Sequence, residues 1–578
     1  MTESIKFSTL DTHFADFIVR IDRHPCNELW WGAALASYSA GRGHSCTSLF
    51  DVMEVSTLPL LPTPRKLPPS DIHHWRESLI LCDTVGTPGA YTPLVLDTAG
   101  RLYLHRCWRY EQQVTSGILS RSRPLAVDEI RLDAALDRYF PLQSGAVDLQ
   151  RSAARMVFTN RFSVISGGPG TGKTATVARI LALLLDVAGD SRPEITLAAP
   201  TGKAAMRLHR SILHAADSLA LPDEIRNCLP TGVSTIHRLL GVQTRRGGFR
   251  HNRDNRLPCD ILVVDEASMV DLQLMASLLE ALRDDARVIL LGDRNQLASV
   301  EAGAVLADIC DSANQAMVPV TQLTKSYRFG NDSGIAALSQ LINSGESAAA
   351  AELLKSGQYP DILWRPLPAG KAFEEAFTAA VRDGYAGYVQ AASPADALAE
   401  LNSFRVLSPL RSGPCGVENL NRLSLSALAS ERKIDPLSFR MMPVMVTGNN
   451  YELGLFNGDT GVVMESDGTP VVWFENPEGG LRHLSTLRLP PSEAAFALTV
   501  HKSQGSEFDR VLLILPDKMS EVLSRELLYT AVTRARRHIE IWGTEDVFRQ
   551  AIERLTLRKS GLSERLAAGD QSGQYVSS

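Results

Sequence analysis

The chain has 578 residues, of which 21% are charged and 44% are hydrophobic, a composition typical of an ordinary globular protein. This length exceeds what a single hydrophobic core supports, so we expect several domains of about 150 residues each. The net charge of −6 excludes a generally basic surface, and any binding of nucleic acid must therefore come from local sites.

The sequence favours a cytoplasmic protein without a membrane segment. Its first residues are largely polar, and its most apolar run, residues 180–187, is too short to span a bilayer. The eight cysteines are scattered without a C-x-x-C pair, which favours free thiols over a four-thiolate cluster. Reduced cysteines fit the cytoplasm.

Residues 1–115 are expected to form a separate, mainly helical N-terminal domain. They contain four of the seven tryptophans, Trp30, Trp31, Trp75 and Trp108, which indicates a packed core of their own. Residues 58–69 are rich in proline and predict a rigid loop. No catalytic pattern occurs in this part of the chain.

Residues 116–340 predict a first α/β domain. Short apolar runs at residues 162–165, 195–198, 261–264 and 288–291 alternate with helical stretches. This order is typical of a parallel sheet covered by helices.

The first of these runs leads into a loop that fits the phosphate-binding pattern G-x-x-x-x-G-K-[ST] at every fixed position. The loop comprises Gly167, Gly168, Pro169, Gly170, Thr171, Gly172, Lys173 and Thr174. Its glycines let backbone N–H groups converge on a nucleoside triphosphate. Lys173 brings positive charge to the β- and γ-phosphates, and the Thr174 hydroxyl can hold Mg²⁺. Residues 176–187 predict the helix whose N-terminus faces those phosphates.

The run at 261–264 ends in two adjacent carboxylates, Asp265 and Glu266. Asp265 is a candidate ligand of Mg²⁺, and Glu266 can accept a proton from an attacking water. Acidic residues also occur at such positions as simple helix N-caps. The phosphate loop upstream in the same sheet pattern favours the catalytic interpretation.

Three more polar residues are candidates for contact with the γ-phosphate. Gln296 follows the run at 288–291, and its amide can donate and accept hydrogen bonds at once. Arg328 and Arg534 are candidate arginine fingers, although isolated arginines are usually surface residues.

Residues 242–257 contain a basic segment with five arginines between Arg245 and Arg256, and with Phe249 and His251 among them. This segment predicts either a β-hairpin or a solvated basic loop. The sequence does not decide between the two.

Residues 341–578 predict a second α/β domain, with strand-like runs at 404–407 and 511–515. Between about 440 and 490, turn signals such as Asn457-Gly458 and Asp467-Gly468 separate short β-type runs. We expect a small inserted β-barrel or set of hairpins there.

The order of these elements resembles that of superfamily-one helicases. Eight motifs follow one another, at residues 167–174, 197–204, 234–241, 265–266, 292–296, 327–328, 499–505 and 529–536. The Thr-Ile-His-Arg and Thr-Val-His-Lys forms of two of them resemble the branch that moves 5′ to 3′ on DNA. Chance agreement over so many motifs is negligible.

A closer resemblance is to the RecD family, the alpha subunits of exodeoxyribonuclease V (RecBCD) complexes, and it is carried by residues 102–111, 148–174 and 451–459. It implies an α/β fold with two RecA-like P-loop domains, a mainly helical N-terminal domain that docks onto a partner, and a small SH3-like β insertion in the second RecA-like domain. It also implies ATP and Mg²⁺ as cofactors. The implied partners are single-stranded DNA, duplex DNA ends, and RecB-like and RecC-like subunits in a heterotrimer.

The resemblance also implies roles for single residues. Gln150 would read the adenine edge, while Gln296, Arg328 and Arg534 would close on the γ-phosphate between the two RecA-like domains. The residues implied to face DNA are Pro200, Thr201, Gly202, Lys203, Thr235, His237, Thr499, His501 and Lys502. Their hydroxyl, imidazole and amine groups suit contacts to phosphate and sugar. A histidine at a helix start without a DNA contact remains an alternative for His237.

The function so implied is an ATP-dependent 5′→3′ DNA helicase or translocase subunit that processes double-strand breaks for recombinational repair. One alternative is an ATPase-silent structural or regulatory subunit of the same complex. Another is a free-standing RecD-like helicase, whose extended N-terminal region has little room in this chain. A nuclease within this chain is disfavoured, because its candidate E-x-K sequence at 431–433 lacks an acidic partner strand. We expect the nuclease in a partner subunit.

Overall fold

The computed structural model describes residues 5–50, 71–141, 148–189, 191–219, 221–230, 232–243, 247–313, 318–330, 332–431, 441–450, 452–466, 468–476 and 480–569. The proline-rich loop at 58–69 lies outside these ranges, as do Arg245, Arg246 and Lys433. Within them, no helix is long and apolar enough to cross a membrane.

The N-terminal part of the chain packs helices against a small sheet. Its elements are α1 (Thr9–Ile21), α2 (Asn27–Gly41), β1 (Cys46–Ser48), α3 (Ile72–Ile80), β2 (Val85–Gly86), β3 (Leu94–Leu96), β4 (Arg101–Leu104) and α4 (His105–Leu119). Trp31 and Trp75 are fully buried in its core, as the clustered tryptophans predict. The sheet, in the order β1-β4-β3-β2, is not predicted from the sequence, because strands of two to four residues are too short to show alternation.

A six-stranded parallel sheet with its helices forms what we call the first lobe. Its elements are α5 (Glu129–Tyr139), α6 (Leu149–Thr159), β5 (Phe162–Gly167), α7 (Lys173–Ala188), β6 (Ile195–Ala199), α8 (Gly202–Ser218), α9 (Asp223–Arg226), β7 (Ser234–Thr235), α10 (Ile236–Leu240), β8 (Ile261–Val264), α11 (Leu272–Ala281), β9 (Arg287–Gly292), α12 (Val305–Ser312) and β10 (Val320–Leu323). The strand order is β10-β5-β9-β8-β6-β7, and every neighbouring pair is parallel.

The central strands of the first lobe are buried on both faces. In β9, Val288 and Leu290 face one hydrophobic core, while Ile289 and Leu291 face the core on the other side. This double burial explains why the strands read as continuous apolar runs in the sequence. Their carboxyl ends meet at one edge of the sheet, where β5 passes into the phosphate loop and β8 ends before Asp265.

The second lobe begins with helices and two strands. They are α13 (Gly334–Ser344), α14 (Ser347–Ser356), β11 (Ile362–Pro366), α15 (Gly370–Gly384), α16 (Ala386–Gln390), α17 (Pro394–Ser403), β12 (Phe404–Ser408) and α18 (Val417–Glu431).

The expected β insertion follows. It is a five-stranded antiparallel sheet built from β13 (Pro443–Val446), β14 (Thr460–Ser466), β15 (Thr469–Glu475), β16 (Leu481–Ser485) and β17 (Ser492–Ala494). The order is β16-β15-β14-β13-β17, and β14 pairs antiparallel with both β13 and β15, as the predicted hairpins require. Asp467 of the second turn signal lies outside the described residues.

The chain then completes the second lobe with β18 (Ala497–Thr499), β19 (Phe508–Ile514), α19 (Arg525–Val532), β20 (Ala535–Gly543) and α20 (Glu545–Glu553). The last helix, α21 (Leu562–Ala568), returns to the first lobe, where Leu562 and Leu566 pack in the same hydrophobic core as α12. The parallel sheet has the order β11-β20-β19-β12-β18. Two parallel sheets, a β insertion and a helical N-terminal region confirm the predicted fold class. The expected boundary between residues 115 and 116 lies inside the continuous helix α4.

Candidate nucleotide site and nucleic-acid interface

The phosphate loop takes a conformation that glycine alone adopts readily. Gly170 and Gly172 have φ values of 77° and 79°, and Gly172 is the N-cap of α7. The loop also packs closely against the segment after β10, since the Tyr327 N–H donates to the Gly170 carbonyl at 2.8 Å. A Cβ on Gly170 would lie 2.3 Å from Cβ of Arg328, so no side chain fits there.

The residues predicted to act on the nucleotide line one cavity of about 620 Å³. Those that line it are Pro169, Gly170, Thr171, Gly172, Lys173, Thr174, Asp265, Glu266, Gln296, Arg328 and Arg534. Lys173 Nζ lies 2.5 Å from the Gly167 carbonyl and 3.1 Å from that of Gly168, so its charge lies directly over the loop. The cavity therefore joins the edge of the first sheet to residues of the second lobe.

The two carboxylates after β8 differ in environment. Burial and the neighbouring charge of Glu266 raise the pKa of Asp265 to about 6. Asp265 Oδ1 accepts a hydrogen bond from the Glu266 N–H at 2.9 Å. Glu266 has a φ of 52° and is the only non-glycine residue in the described ranges with a positive φ. Such strain concentrates at functional sites, because the surrounding structure has to maintain it.

Gln296 lies in a loop that bonds to the second lobe. Its Nε2 donates to Asp293 Oδ2 at 3.3 Å, and the Tyr529 hydroxyl donates to the same oxygen at 2.8 Å. The next residue, Leu297, donates its N–H to Thr530 Oγ1 at 3.0 Å. The loop after β9 is thus hydrogen-bonded directly to α19.

Both candidate arginine fingers reach the cavity. Arg534 is 1% exposed, and it donates to the carbonyls of Thr530 and Ser506 at 3.1 and 3.0 Å. Burial lowers its pKa. Arg328 lies 2.8 Å from the carboxylate of Glu507.

Gln150 lies on the other side of the phosphate loop, in an adjoining cavity of about 620 Å³. Tyr139, Phe140, Gly172 and Tyr327 line the same cavity. It combines aromatic walls with one amide side chain, the composition expected of a pocket for a planar base.

The residues predicted to face DNA in the first lobe divide between two cavities. Gly202, Lys203 and Thr235 line a cavity of about 340 Å³ between α8 and the β insertion. There, Lys203 Nζ lies 5.9 Å from the centre of the Phe508 ring, and burial lowers the lysine pKa to about 8. His237 instead lines a cavity of about 360 Å³ with Phe249, whose ring centre lies 6.1 Å away. Pro200 and Thr201 precede α8, and Thr201 Oγ1 caps the helix by accepting from the Ala204 N–H at 3.3 Å.

The predicted DNA residues of the second lobe follow β18. The hydroxyl of Thr499 accepts a hydrogen bond from the Lys502 N–H at 3.3 Å, and Lys502 Nζ forms an ion pair with Glu493 at 2.7 Å. Burial lowers the pKa of His501. Gly505 approaches the first lobe, since a Cβ there would lie 3.5 Å from Thr201 Oγ1.

The basic segment forms a narrow antiparallel turn in its described part. Val242 and Phe249 are bridge partners, and the Arg250 N–H donates to the Gly241 carbonyl at 2.7 Å. Arg256 donates to backbone carbonyls at the end of α11, so its charge is engaged in structure. Arg250 and Arg253 are exposed.

Sequence reasoning missed several residues of the nucleotide cavity. Glu507 and Arg207 both line it. Asp293 accepts a hydrogen bond from the side chain of Gln296, which lines the cavity. Glu507 comes two residues after the predicted motif at 499–505, which is a signal that could have found it. Arg207 lies within α8, and nothing in its local sequence distinguishes it from a surface arginine.

Three family models match the chain. The model described as the RecBCD enzyme subunit RecD, N-terminal domain, matches residues 3–103. An AAA domain matches residues 150–302, and a UvrD-like helicase C-terminal domain matches residues 494–540.

Curated relatives match over nearly the whole length. The RecBCD enzyme subunit RecD of Mycolicibacterium smegmatis is 39% identical over 565 residues, covering 96% of this chain and 97% of the relative. This chain belongs to the RecD family. The RecD subunit of Haemophilus influenzae is 35% identical, with 92% of each chain covered. The ATP-dependent RecD2 DNA helicase of Deinococcus radiodurans is 33% identical over 81% of this chain, but only 59% of that relative is covered.

Solved structures are more distant. The structure described as Bacteroides Pif1 bound to ssDNA is 17% identical, covers 75% of this chain and 98% of its own, and has a TM-score of 0.42. The AAA-domain match spans the phosphate loop, Asp265 and Gln296, all of which contribute to the cavity at the edge of the first sheet.

Proposed function

We propose that this chain is the ATP-driven 5′→3′ DNA helicase subunit of a RecBCD-type helicase–nuclease that processes double-strand breaks for recombinational repair. The observation that carries the proposal is the single cavity that holds Lys173, Asp265, Glu266, Gln296, Arg328 and Arg534. Arg534 belongs to the second lobe and the others belong to the first lobe or to the segment that follows it, so a nucleotide bound there contacts residues of both lobes.

The residues named above, together with Gln150 in the adjoining cavity, each have a chemical role in this proposal. Lys173 and the loop N–H groups bind the phosphates, and Gln150 binds the adenine edge. Glu266 accepts the proton of the attacking water. Gln296, Arg328 and Arg534 stabilise the charge that develops on the γ-phosphate during hydrolysis.

Thr174 and Asp265 offer hard oxygen donors that fit Mg²⁺. This ion binds through one or two protein oxygens together with substrate phosphates, so a small donor set is sufficient. When bound, Mg²⁺ neutralises charge between the β- and γ-phosphates.

Hydrolysis is coupled to motion through the two lobes. The triphosphate attracts Arg534 of the second lobe and Arg328 of the segment that joins the lobes and so closes the cleft, and loss of the γ-phosphate removes that attraction. Residues on both lobes, including Thr201, Lys203, Thr499 and Lys502, would contact the DNA backbone and advance along it with each cycle.

The proposed setting is cytoplasmic, with RecB-like and RecC-like subunits as partners. All eight cysteines carry free thiols, which suits a reducing compartment. The relatives that match over their full length are named as subunits of the RecBCD enzyme, and the N-terminal family match supports a subunit over a free-standing helicase. The nuclease of the complex would belong to a partner.

A DNA-stimulated ATPase assay tests this function. The Lys173→Gln variant should lose hydrolysis and unwinding of substrates with a 5′ overhang, while Lys371→Gln, an exposed lysine on α15, should behave as wild type. Persistent hydrolysis in Lys173→Gln would refute the proposal. A wild-type chain that enters the complex but hydrolyses no ATP would favour the alternative of a structural subunit.

A further inference from the structure

One buried carboxylate in the nucleotide cavity, that of Glu507, forms ion pairs with arginines from both lobes. The carboxylate of Glu507 lies 2.5 Å from Arg207, 2.8 Å from Arg328 and 3.3 Å from Arg536. The Glu507 side chain is only 5% exposed. We call these four residues the arginine cluster.

The members of the arginine cluster come from different parts of the molecule. Arg207 lies on α8 of the first lobe, Arg328 follows the last strand of that lobe, and Arg536 lies on β20 of the second lobe. Glu507 directly precedes β19 of the second lobe. Its carboxylate therefore forms ion pairs across the cleft in which the nucleotide is proposed to bind.

The charge of Glu507 is strongly stabilised. Burial alone would raise its pKa, but the charges of Arg207, Arg328 and Arg534 lower it to about 2. Glu507 is therefore an anion at any pH at which the protein works.

Arg328 is only half satisfied in this arrangement. Its Nη2 binds Glu507, while its Nη1 is buried and has no hydrogen-bond partner. A buried unpaired donor on a cation is costly unless an acceptor arrives. Because Arg328 lines the nucleotide cavity, an anion bound there can reach this free side of its guanidinium group.

We propose that Glu507 is a positioning residue that competes with the γ-phosphate of ATP for Arg328. In the resting state the carboxylate holds Arg328 and Arg207 in the arginine cluster. A triphosphate replaces the carboxylate as the acceptor for Arg328, whereas a diphosphate leaves the cluster intact because it lacks the γ-phosphate. Glu507 thereby sets how strongly the site prefers a triphosphate. This inference rests on the proposed nucleotide site.

Removing the charge of Glu507 should increase the preference of the site for a triphosphate over a diphosphate. In the Glu507→Gln variant the arginines keep their charge but lose their internal counter-ion, so the γ-phosphate no longer has to displace a carboxylate. We expect the ratio of the ADP dissociation constant to that of β,γ-imido-ATP to rise about tenfold. A purely structural role would weaken the binding of both nucleotides and leave the ratio unchanged.

The experiment is a calorimetric titration of the full-length chain with each of the two nucleotides. The matched control is Glu540→Gln, since Glu540 of β20 pairs with Arg365 at 3.2 Å and neither residue lines the nucleotide cavity. The control should keep the wild-type ratio. A wild-type chain that binds neither nucleotide would refute the proposed function. A ratio that stays equal or falls in Glu507→Gln, with wild type binding normally, would overturn the inference alone.

A second variant keeps the test decisive if Glu507→Gln does not fold. Glu507→Asp retains the negative charge, but its side chain is one methylene shorter. The carboxylate therefore lies farther from Arg328 and Arg207, which weakens both ion pairs. The ratio should rise in the same direction, by about threefold. No rise in a folded Glu507→Asp chain would contradict the competition between carboxylate and phosphate.

Discussion

At the scale of single residues, Arg534 combines nearly complete burial with a position in the nucleotide cavity. Its hydrogen bonds to two backbone carbonyls fix the guanidinium without neutralising its charge, so the charge stays available to a phosphate. We predict that Arg534→Lys lowers DNA-stimulated ATP turnover by about 10³- to 10⁵-fold, because a lysine cannot reproduce the fixed fork of donors.

The control for Arg534 is Arg537→Gln, an arginine on the following strand β20 whose side chain is 79% exposed. Steady-state turnover should be unchanged in this control. Turnover within about tenfold of wild type in a folded Arg534→Lys chain would show that Arg534 is no arginine finger.

Lys203 is a proposed DNA-contacting residue whose charge should respond to pH in the working range. Its folded-state pKa of about 8 lies below the usual value, so the ammonium is present below pH 8 and is lost as the pH rises above it. If Lys203 contacts the DNA backbone, the affinity for single-stranded DNA should fall about fivefold between pH 7 and pH 9. Fluorescence anisotropy titrations measure this. Lys203→Met should abolish the pH dependence, and an equal decline in that variant would assign it to another group.

At the scale of elements, the segment that ends in α21 joins three parts of the chain. The Lys559 carbonyl accepts from the Ser45 N–H at 3.0 Å, and Glu111 accepts from the Gly561 N–H at 3.1 Å. Arg558 donates to carbonyls in the loop 299–303, which follows Gln296. This segment therefore connects the N-terminal part to the loop beside the nucleotide cavity.

Asp308 on α12 makes the docking of this segment sensitive to pH. Burial raises the Asp308 pKa to about 8, although a hydrogen bond to Ser560 opposes the shift, and its Oδ2 has no partner. Between these two pKa values the folded state retains a proton that the unfolded state has released, so stability is full below the usual pKa, declines as the pH rises to about 8, and changes no further above it.

We predict that this packing loses about 2 kcal/mol of stability between pH 6.5 and pH 8.5. The protection factors of the α21 amides, which compare their hydrogen exchange with the base-catalysed exchange of an unfolded chain at the same pH, should fall accordingly at the higher pH. Asp308→Asn removes the titrating group and should flatten this pH dependence of protection. An unchanged loss of protection in Asp308→Asn would exclude Asp308 as its source.

The elements differ in how far the sequence predicts them, for physical reasons. The central strands of the first sheet are buried on both faces, so runs such as residues 261–264 are continuously apolar and match β8. The short N-terminal strands carry no such pattern. The phosphate loop is predictable residue by residue because its chemistry requires fixed residue types. The pairing of Arg207 with Glu507 is not predictable in this way, because the two residues lie on different lobes and contact each other only in the folded molecule.

At the scale of the whole molecule, a net charge of −6 requires that DNA be held by local groups.

The N-terminal part is the expected docking module, and it carries its own buried core. Deleting residues 1–103, the span of the N-terminal family match, should release the chain from RecB-like and RecC-like subunits in a co-purification assay. Retention of the truncated chain in the complex would place the docking surface elsewhere.

The central claim is that a triphosphate is held between the two lobes by Arg328 and Arg534. A structure of the full-length chain with β,γ-imido-ATP and single-stranded DNA tests it most directly. We predict that both guanidinium groups lie about 3 Å from γ-phosphate oxygens, with Arg328 released from Glu507. Both arginines pointing away from the bound triphosphate, with Arg328 still paired to Glu507, would contradict the account.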